Sequence, residues 1–136
     1  MGPVNWFAVI IAAVAAGAVS AVWWGPLFGR ARTRDIKPGK VLPTKGPLPK
    51  MALTGVLLLI TAAMMGHMFA RVGEATLAAK PWLWFMMSGG LAIAFVIPAL
   101  WISYTHTRVT TRIALIDAGY WLVGYLTMGL VFFLLS

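Results

Sequence analysis

The chain has 136 residues, of which 61% are hydrophobic and only 10% are charged, and its formal net charge is +8. Soluble domains carry about 25% charged residues, so this composition excludes an ordinary soluble fold. The absence of cysteine excludes disulfides, thiolate metal sites and thiol catalysis. The basic residues form short blocks between apolar segments, so we predict that they face lipid and not nucleic acid.

Four apolar segments dominate the chain, and each is long enough to cross a bilayer, which takes about 20 mostly apolar residues in a helix. They cover approximately residues 4–28, 51–70, 81–104 and 113–135. Too few residues remain for a soluble domain. We therefore predict an all-α membrane protein in which residues 1–136 form one domain, a compact bundle of four transmembrane helices.

The first segment begins after Asn5 and carries no Lys or Arg before its apolar run, so it is expected to be retained and not cleaved as a signal peptide. Small residues recur every four positions in the first two segments. Small side chains on one helix face allow close helix packing in lipid. The predicted packing ridges are Ala13, Gly17, Ala21 and Gly25 in the first segment, and Ala62, Gly66 and Ala70 in the second.

The loop at 29–50 is rich in proline and strongly basic. Its basic residues are Arg30, Arg32, Arg34, Lys37, Lys40, Lys45 and Lys50. Basic residues beside a membrane attract anionic headgroups, at about 1 kcal/mol per well-placed charge. The loop is interpreted first as a topology signal on the membrane surface, and alternatively as a docking site for a lipid or a partner protein.

The second basic loop, 105–112, contains Arg108 and Arg112, whereas the opposite side of the membrane has only Arg71 and Lys80. The positive-inside rule places both basic loops in the cytoplasm. The prediction is a multi-pass protein of the bacterial inner membrane with both termini outside.

Aromatic residues cluster near the ends of the segments. Trp and Tyr are enriched at membrane–water interfaces. On the basic side, the residues assigned to such a belt are Trp23, Trp24, Trp101 and Tyr104.

Methionine and histidine cluster near the end of the second segment, at Met64, His67 and Met68, and Met87 lies in the third segment. Thioether and imidazole ligands suit Cu(I), so a copper site is one alternative. Methionine also fills irregular gaps between helices. We favour packing, and predict no metal and no cofactor.

In the third segment, Pro81 suits the first turn of a helix, whereas Pro98 lies within the apolar run. An internal proline removes a backbone hydrogen bond, so we predict a bend at Pro98.

Asp117 is the only acidic residue inside an apolar run, and Tyr120 follows it on the same helical face. Acids within membrane segments are candidates for proton or ion sites. With a helix starting near Thr110 or Thr111, Asp117 falls in the second turn, so it can instead form a structural ion pair. The arginines expected to be close are Arg112 and Arg30.

Two stretches resemble a bacterial family of small four-helix integral membrane proteins of unknown function. One is the N-terminal segment, with Asn5-Trp6 and "WWGPLFG" at 23–29, and the other is "AGYWL" at 118–122 after Asp117. Pro98 also fits the resemblance. It implies a four-helix membrane protein, and no reaction or cofactor.

The function predicted from sequence is a structural or accessory subunit of a homo-oligomer or larger membrane complex. The alternative is a small transporter or channel that uses Asp117, Tyr120 and the Pro98 bend. An enzyme is not expected, because the sequence contains no nucleophile elbow and no phosphate-binding glycine loop.

Overall fold

The computed structural model describes residues 2–35 and 47–136, which contain helices and no strand. The helices are α1 (Trp6–Val22), α2 (Gly29–Asp35), α3 (Pro47–Val72), α4 (Glu74–Ala79), α5 (Trp82–Leu91), α6 (Ile97–Thr107) and α7 (Thr111–Leu134). Two π-helical turns extend them: Trp23–Leu27 follows α1, and Ala92–Val96 joins α5 to α6.

Four helical stretches of these residues are long and apolar enough to cross a membrane. They are Trp6–Leu27, Leu48–Val72, Trp82–Thr107 and Thr111–Leu134. The predicted all-α bundle of four such helices is therefore confirmed. The N-terminal part of the predicted 29–50 loop differs, because residues 29–35 form α2, and α3 begins at Pro47 instead of residue 51.

The end of the bundle that contains α2 and the junction between α6 and α7 is called here the basic end. Its described basic residues are Arg30, Arg32, Arg34, Lys50, Arg108 and Arg112. The loop residues Lys37, Lys40 and Lys45 lie outside the described residues.

α7 is the central helix of the bundle. Half of the residues in its most apolar 18-residue stretch are buried, whereas the buried share of the corresponding stretch in the span made of α5 and α6 is 17%. α1 and α5 both pack against α7, and α3 packs on α1. At the end opposite the basic end, the ring of Phe69 of α3 packs at a tilt against Trp84 and Phe132, with ring centroids 4.4 and 5.2 Å apart.

The predicted small-residue ridge is mostly buried against neighbouring helices on α3 but only partly buried on α1. On α3, Ala62 and Gly66 are buried and Ala70 is half-buried; a Cβ on Gly66 would lie 2.9 Å from Val9 of α1. On α1 the structure differs from the prediction, since Ala13 is buried, Gly17 is half-buried, and Ala21 and Gly25 are exposed. The helix is rotated so that Ala8, Ala12 and Ala16 form its fully buried face.

The span containing Pro98 is interrupted where the sequence predicts a bend. Pro98 is the second residue of α6, and the π turn Ala92–Val96 lies immediately before it. A proline and a π turn are both recognised causes of helix distortion.

Candidate functional site

Asp117 is held at the basic end by the start of α7. Thr110 caps this helix, its hydroxyl accepting a hydrogen bond from the backbone N–H of Ile113. α7 begins at Thr111, two residues before the predicted limit of the apolar segment and at one of the two helix starts considered above, and this places Asp117 in the second turn. Its side chain is only 2% exposed. The carboxylate is therefore inside the bundle and not at its surface.

Both carboxylate oxygens of Asp117 accept hydrogen bonds from other elements. Arg32 of α2 donates from Nε to Oδ1 (2.8 Å) and from Nη2 to Oδ2 (2.9 Å). The indole Nε1 of Trp24 donates to Oδ1 at 2.9 Å, and the hydroxyl of Tyr104 donates to Oδ2. These four residues are called the Asp117 cluster. Among the described residues, no buried side-chain nitrogen or oxygen lacks a hydrogen-bond partner.

The stretch "WWGPLFG" at 23–29 positions one of these donors, Trp24, together with a second indole, Trp23. Pro26 has no N–H, and the helix widens here into a π turn in which the N–H of Phe28 bonds the carbonyl of Trp23 at 2.9 Å. Both indoles then reach α7, since Trp23 Nε1 donates to the carbonyl of Ile116 at 2.8 Å while Trp24 donates to Asp117. After Phe28 the chain continues directly into α2.

Two glycines make this arrangement possible by the absence of a side chain. A Cβ on Gly29 would lie 2.6 Å from the carbonyl oxygen of Trp24, and a Cβ on Gly119 would lie 2.9 Å from the ring of Trp23. The first contact is with backbone, which cannot move aside as a flexible side chain can. The α1–α2 turn therefore requires glycine at 29.

Tyr120 lies one turn further along α7 and makes a different contact. Its hydroxyl donates to the carbonyl of Ala16 at 3.1 Å, and its ring packs on Trp24 with centroids 4.3 Å apart. The side chain is 1% exposed. Tyr120 thus joins α7 to α1 and supports Trp24, but does not bond Asp117.

A second polar contact fixes the other end of α2. Asp35 lies 3.7 Å from Nη1 of Arg112, and it accepts a hydrogen bond of 2.9 Å from the hydroxyl of Thr110. α2 is therefore attached to α7 at both Arg32 and Asp35. A helix of only seven residues is marginal by itself in water, so these tertiary contacts stabilise it.

The charge state of the cluster follows from its hydrogen bonds. The hydrogen bonds from Arg32 to Asp117 raise the pKa of the guanidinium above its usual range, although partial burial acts in the opposite direction. Arg32 therefore stays charged at every physiological pH. Removing one partner of a buried ion pair leaves the other charge uncompensated and costs about 3–5 kcal/mol.

The partner of Asp117 differs from the two arginines that the sequence suggested. Arg30 is exposed, and Arg112 binds Asp35, whereas Arg32 makes the bidentate pair. The reason is the helical form of α2, which places Arg32 toward α7 and Arg30 toward the surroundings. In sequence, Arg32 is only one of the basic residues of the 29–50 loop.

Trp24 and Tyr104, which the sequence assigns to an interfacial belt, have a further role that was not predicted from the sequence. Both side chains donate to Asp117 inside the bundle. One sequence signal could have indicated this: a buried carboxylate needs several donors, and "WWGP" supplies two indole N–H groups beside a helix irregularity.

The methionine–histidine group lies apart from the Asp117 cluster. Met64, His67 and Met68 are on the half of α3 remote from the basic end, and Met87 is on α5. Met64 is 64% exposed, whereas Met87 packs against the buried core. The ring of His67 bonds the carbonyl of Ala63 through Nδ1 (2.8 Å) and meets Trp6 edge-on. In the described ranges, no three His, Asp or Glu side chains are grouped as metal ligands. The possible copper ligands thus face different surroundings.

The geometry of the Asp117 cluster suits a structural anchor. The carboxylate has two oxygens, and four donors from α2, the π turn and α6 already occupy them. A metal ion or a substrate would have to displace these donors. The cluster instead connects three elements to the central helix.

Four helices long and apolar enough to cross a bilayer are the mark of a multi-pass integral membrane protein. Within that class the chain belongs to DUF1761, a family described as a protein of unknown function, whose model matches residues 7–133. The resemblance to a family of unknown function is thereby confirmed. No curated protein and no solved structure matches the chain.

Proposed function

We propose that the protein is a non-enzymatic structural or accessory subunit of a membrane assembly, either a homo-oligomer or a larger complex of the bacterial inner membrane. The observation that carries the proposal is the state of Asp117. It is 2% exposed and bonded through both oxygens to Arg32 and to two further donors.

A transported proton or cation needs a carboxylate that can exchange with water and change its charge. Asp117 would first have to lose a bidentate arginine, an indole and a phenol. Tyr120, the second residue of the transporter alternative, is also occupied by its bond to Ala16. These contacts favour a fixed bundle over a moving one.

The packing of small residues supports the same proposal. Ala8, Ala12 and Ala16 of α1 and Ala62 of α3 are completely buried, so these backbones approach closely. Gly129 of α7 similarly lies against α5, where a Cβ would be 2.9 Å from the carbonyl oxygen of Trp84. A bundle closed in this way leaves little interior for a solute path, which favours a role carried out through the outer surface.

The proposed orientation has the basic end in the cytoplasm and both termini outside. The charge distribution supports it, with nine basic residues in the two basic loops and two on the opposite side. Because the chain has no cysteine, single-cysteine variants allow a direct test. With an impermeant maleimide on intact cells, Ser136→Cys should be labelled, whereas Thr107→Cys should be labelled only after permeabilisation. The reverse pattern would contradict this orientation.

The subunit proposal is tested by mild-detergent extraction, chemical crosslinking and identification of whatever co-purifies. The expected result is a defined oligomer or a stable set of membrane partners. Proton and cation flux is measured in parallel in liposomes, with Asp117→Asn as the comparison. A monomer that conducts ions, and stops conducting when Asp117 is replaced, would overturn the proposal in favour of a transporter.

A further inference from the structure

A lateral groove lies between α1 and α2 on one side and the first half of α3 on the other. Its volume is about 780 Å³. The walls are made largely of small and apolar residues, among them Ala13, Gly17, Ala21, Gly25, Gly55 and Leu59. Part of the predicted α1 packing ridge thus lines an open space. This space is called the α1–α3 groove.

The α1–α3 groove has the length of one bilayer leaflet. Its apolar wall extends from Ile10 to Ala21 on α1, about 17 Å, and from Met51 to Leu59 on α3, about 12 Å, at 1.5 Å per residue. Trp24, Gly25 and Gly29 continue the groove to its mouth. The hydrocarbon core of a bilayer is about 30 Å thick, so one leaflet is about 15 Å. An extended acyl chain therefore fits along the groove.

The mouth of the groove at the basic end is cationic. Lys50 and Arg32 line it, and Arg30 and Arg34 line a smaller adjoining cavity that shares Gly29 with it. Asp117 compensates the charge of Arg32, but the other three cations keep a net positive charge.

The acidic residues of the chain do not cancel this charge. They are Asp35, Glu74 and Asp117. Asp35 binds Arg112, and Glu74 begins α4 at the opposite end. A negatively charged group at the mouth of the groove would therefore be attracted.

We propose that the α1–α3 groove binds one phospholipid with an anionic headgroup, its phosphate at the mouth beside Lys50 and one acyl chain along the small residues of α1. An apolar channel of leaflet length with a cationic end is complementary to such a lipid. The proposal does not depend on the subunit role.

A second copy of the chain is a poorer occupant of the groove. Copies inserted in the same orientation bring their basic ends together, and like charges would then meet at the mouth. An anionic lipid has the opposite charge there. The bound lipid would fill the space that separates the first half of α3 from α2.

Gly55 offers a way to fill the groove without altering the bundle. A Cβ at this position meets nothing within 4 Å, and the same holds for Gly90 of α5, which lies outside the groove. Gly55→Phe is therefore the blocking variant and Gly90→Phe its matched control. Lys50→Gln removes a charge at the mouth, with Lys80→Gln at the opposite end as its control.

The test uses full-length protein, purified in dodecylmaltoside and delipidated. Dioleoyl phosphatidylglycerol and dioleoyl phosphatidylcholine are titrated separately, and one-to-one complexes are counted by native mass spectrometry. The wild type should bind phosphatidylglycerol more tightly. Gly55→Phe should weaken this binding at least ten-fold, and Gly90→Phe should not. Lys50→Gln should weaken it about five-fold, the value for one membrane-proximal charge, and leave phosphatidylcholine unchanged. Lys80→Gln should change neither.

Equal binding of phosphatidylglycerol by Gly55→Phe and Gly90→Phe would overturn the proposal, as would equal affinity of the wild type for the two lipids. A lipid-free dimer that Gly55→Phe dissociates would show that a second copy occupies the groove instead. Circular dichroism and gel filtration monitor folding. If Gly55→Phe does not fold, the smaller Gly55→Leu replaces it, and the charge variant Lys50→Gln still decides the outcome.

Discussion

Breaking the ion pair between Arg32 and Asp117 should destabilise the bundle more than any other change of a single charge in α2. In Arg32→Gln, the carboxylate remains 2% exposed and loses two charge-assisted hydrogen bonds of 2.8 and 2.9 Å. Hydrogen bonds to charged groups contribute about 1.5–3 kcal/mol each. The side chain of Arg32 is itself 31% exposed, so water offsets part of the loss. We expect the free energy of unfolding to fall by about 3 kcal/mol, at the lower end of the range for broken buried pairs.

A double-mutant cycle isolates the pair from the rest of the cluster. Asp117→Asn should cost about 2–3 kcal/mol, because the amide cannot accept from every donor that surrounds it. The double variant contains neither charge and should be less destabilised than the sum of the single variants, with a coupling of about 2 kcal/mol. The measurement is unfolding in mixed micelles of dodecyl sulfate and dodecylmaltoside, followed by far-ultraviolet circular dichroism.

The matched control is Arg30→Gln, which removes the same charge from an exposed position on the same helix. Its free energy of unfolding should stay within about 0.5 kcal/mol of the wild type. The reasoning would be refuted if Arg32→Gln behaved like Arg30→Gln, or if the coupling energy were below about 0.5 kcal/mol. Either result would mean that Asp117 does not hold α2 on the bundle.

Two further substitutions test the start of α2 and the start of α1. Gly29→Ala should lower the free energy of unfolding by about 1–3 kcal/mol, because its Cβ would lie 2.6 Å from the carbonyl oxygen of Trp24. The control is Gly25→Ala, whose Cβ meets nothing within 4 Å and which should have little effect in the same micelle assay. Equal losses of stability in the two variants would contradict the contact at Gly29. Asn5→Ala should cost about 1–2 kcal/mol, since Asn5 caps α1 and also donates to the carbonyl of Leu135 at 3.0 Å. Asn5→Asp keeps the cap and loses that donor, so thermal melting should place it between the wild type and Asn5→Ala.

The sequence by itself determined the class of protein and the approximate limits of its four spans. Backbone groups in lipid must be bonded within their own helix, so each span needs a long apolar run that is visible locally. Thr110 is likewise a local signal, because a helix start depends on the cap and the residues that follow it. The chain therefore shows the start of α7 and the second-turn position of Asp117 without any tertiary information.

Only the tertiary structure decided which residues meet Asp117. Arg32 and Trp24 are separated from it by 85 and 93 positions. Their approach depends on the π turn at Pro26 and on the rotation of α2, neither of which periodicity reveals. A sequence contains several arginines that could pair with this acid, and spacing along the chain does not distinguish them.

Sequence spacing also could not predict the α1–α3 groove, because it does not show which face of a membrane helix is buried. In a soluble helix the apolar face marks the buried side, but in lipid the outward and inward faces are both apolar. The ridge through Ala13 and Gly17 therefore looked equivalent to the face through Ala8 and Ala12. The rotation of α1 against α3 and α7 determined that one face is buried and that the other lines an open groove.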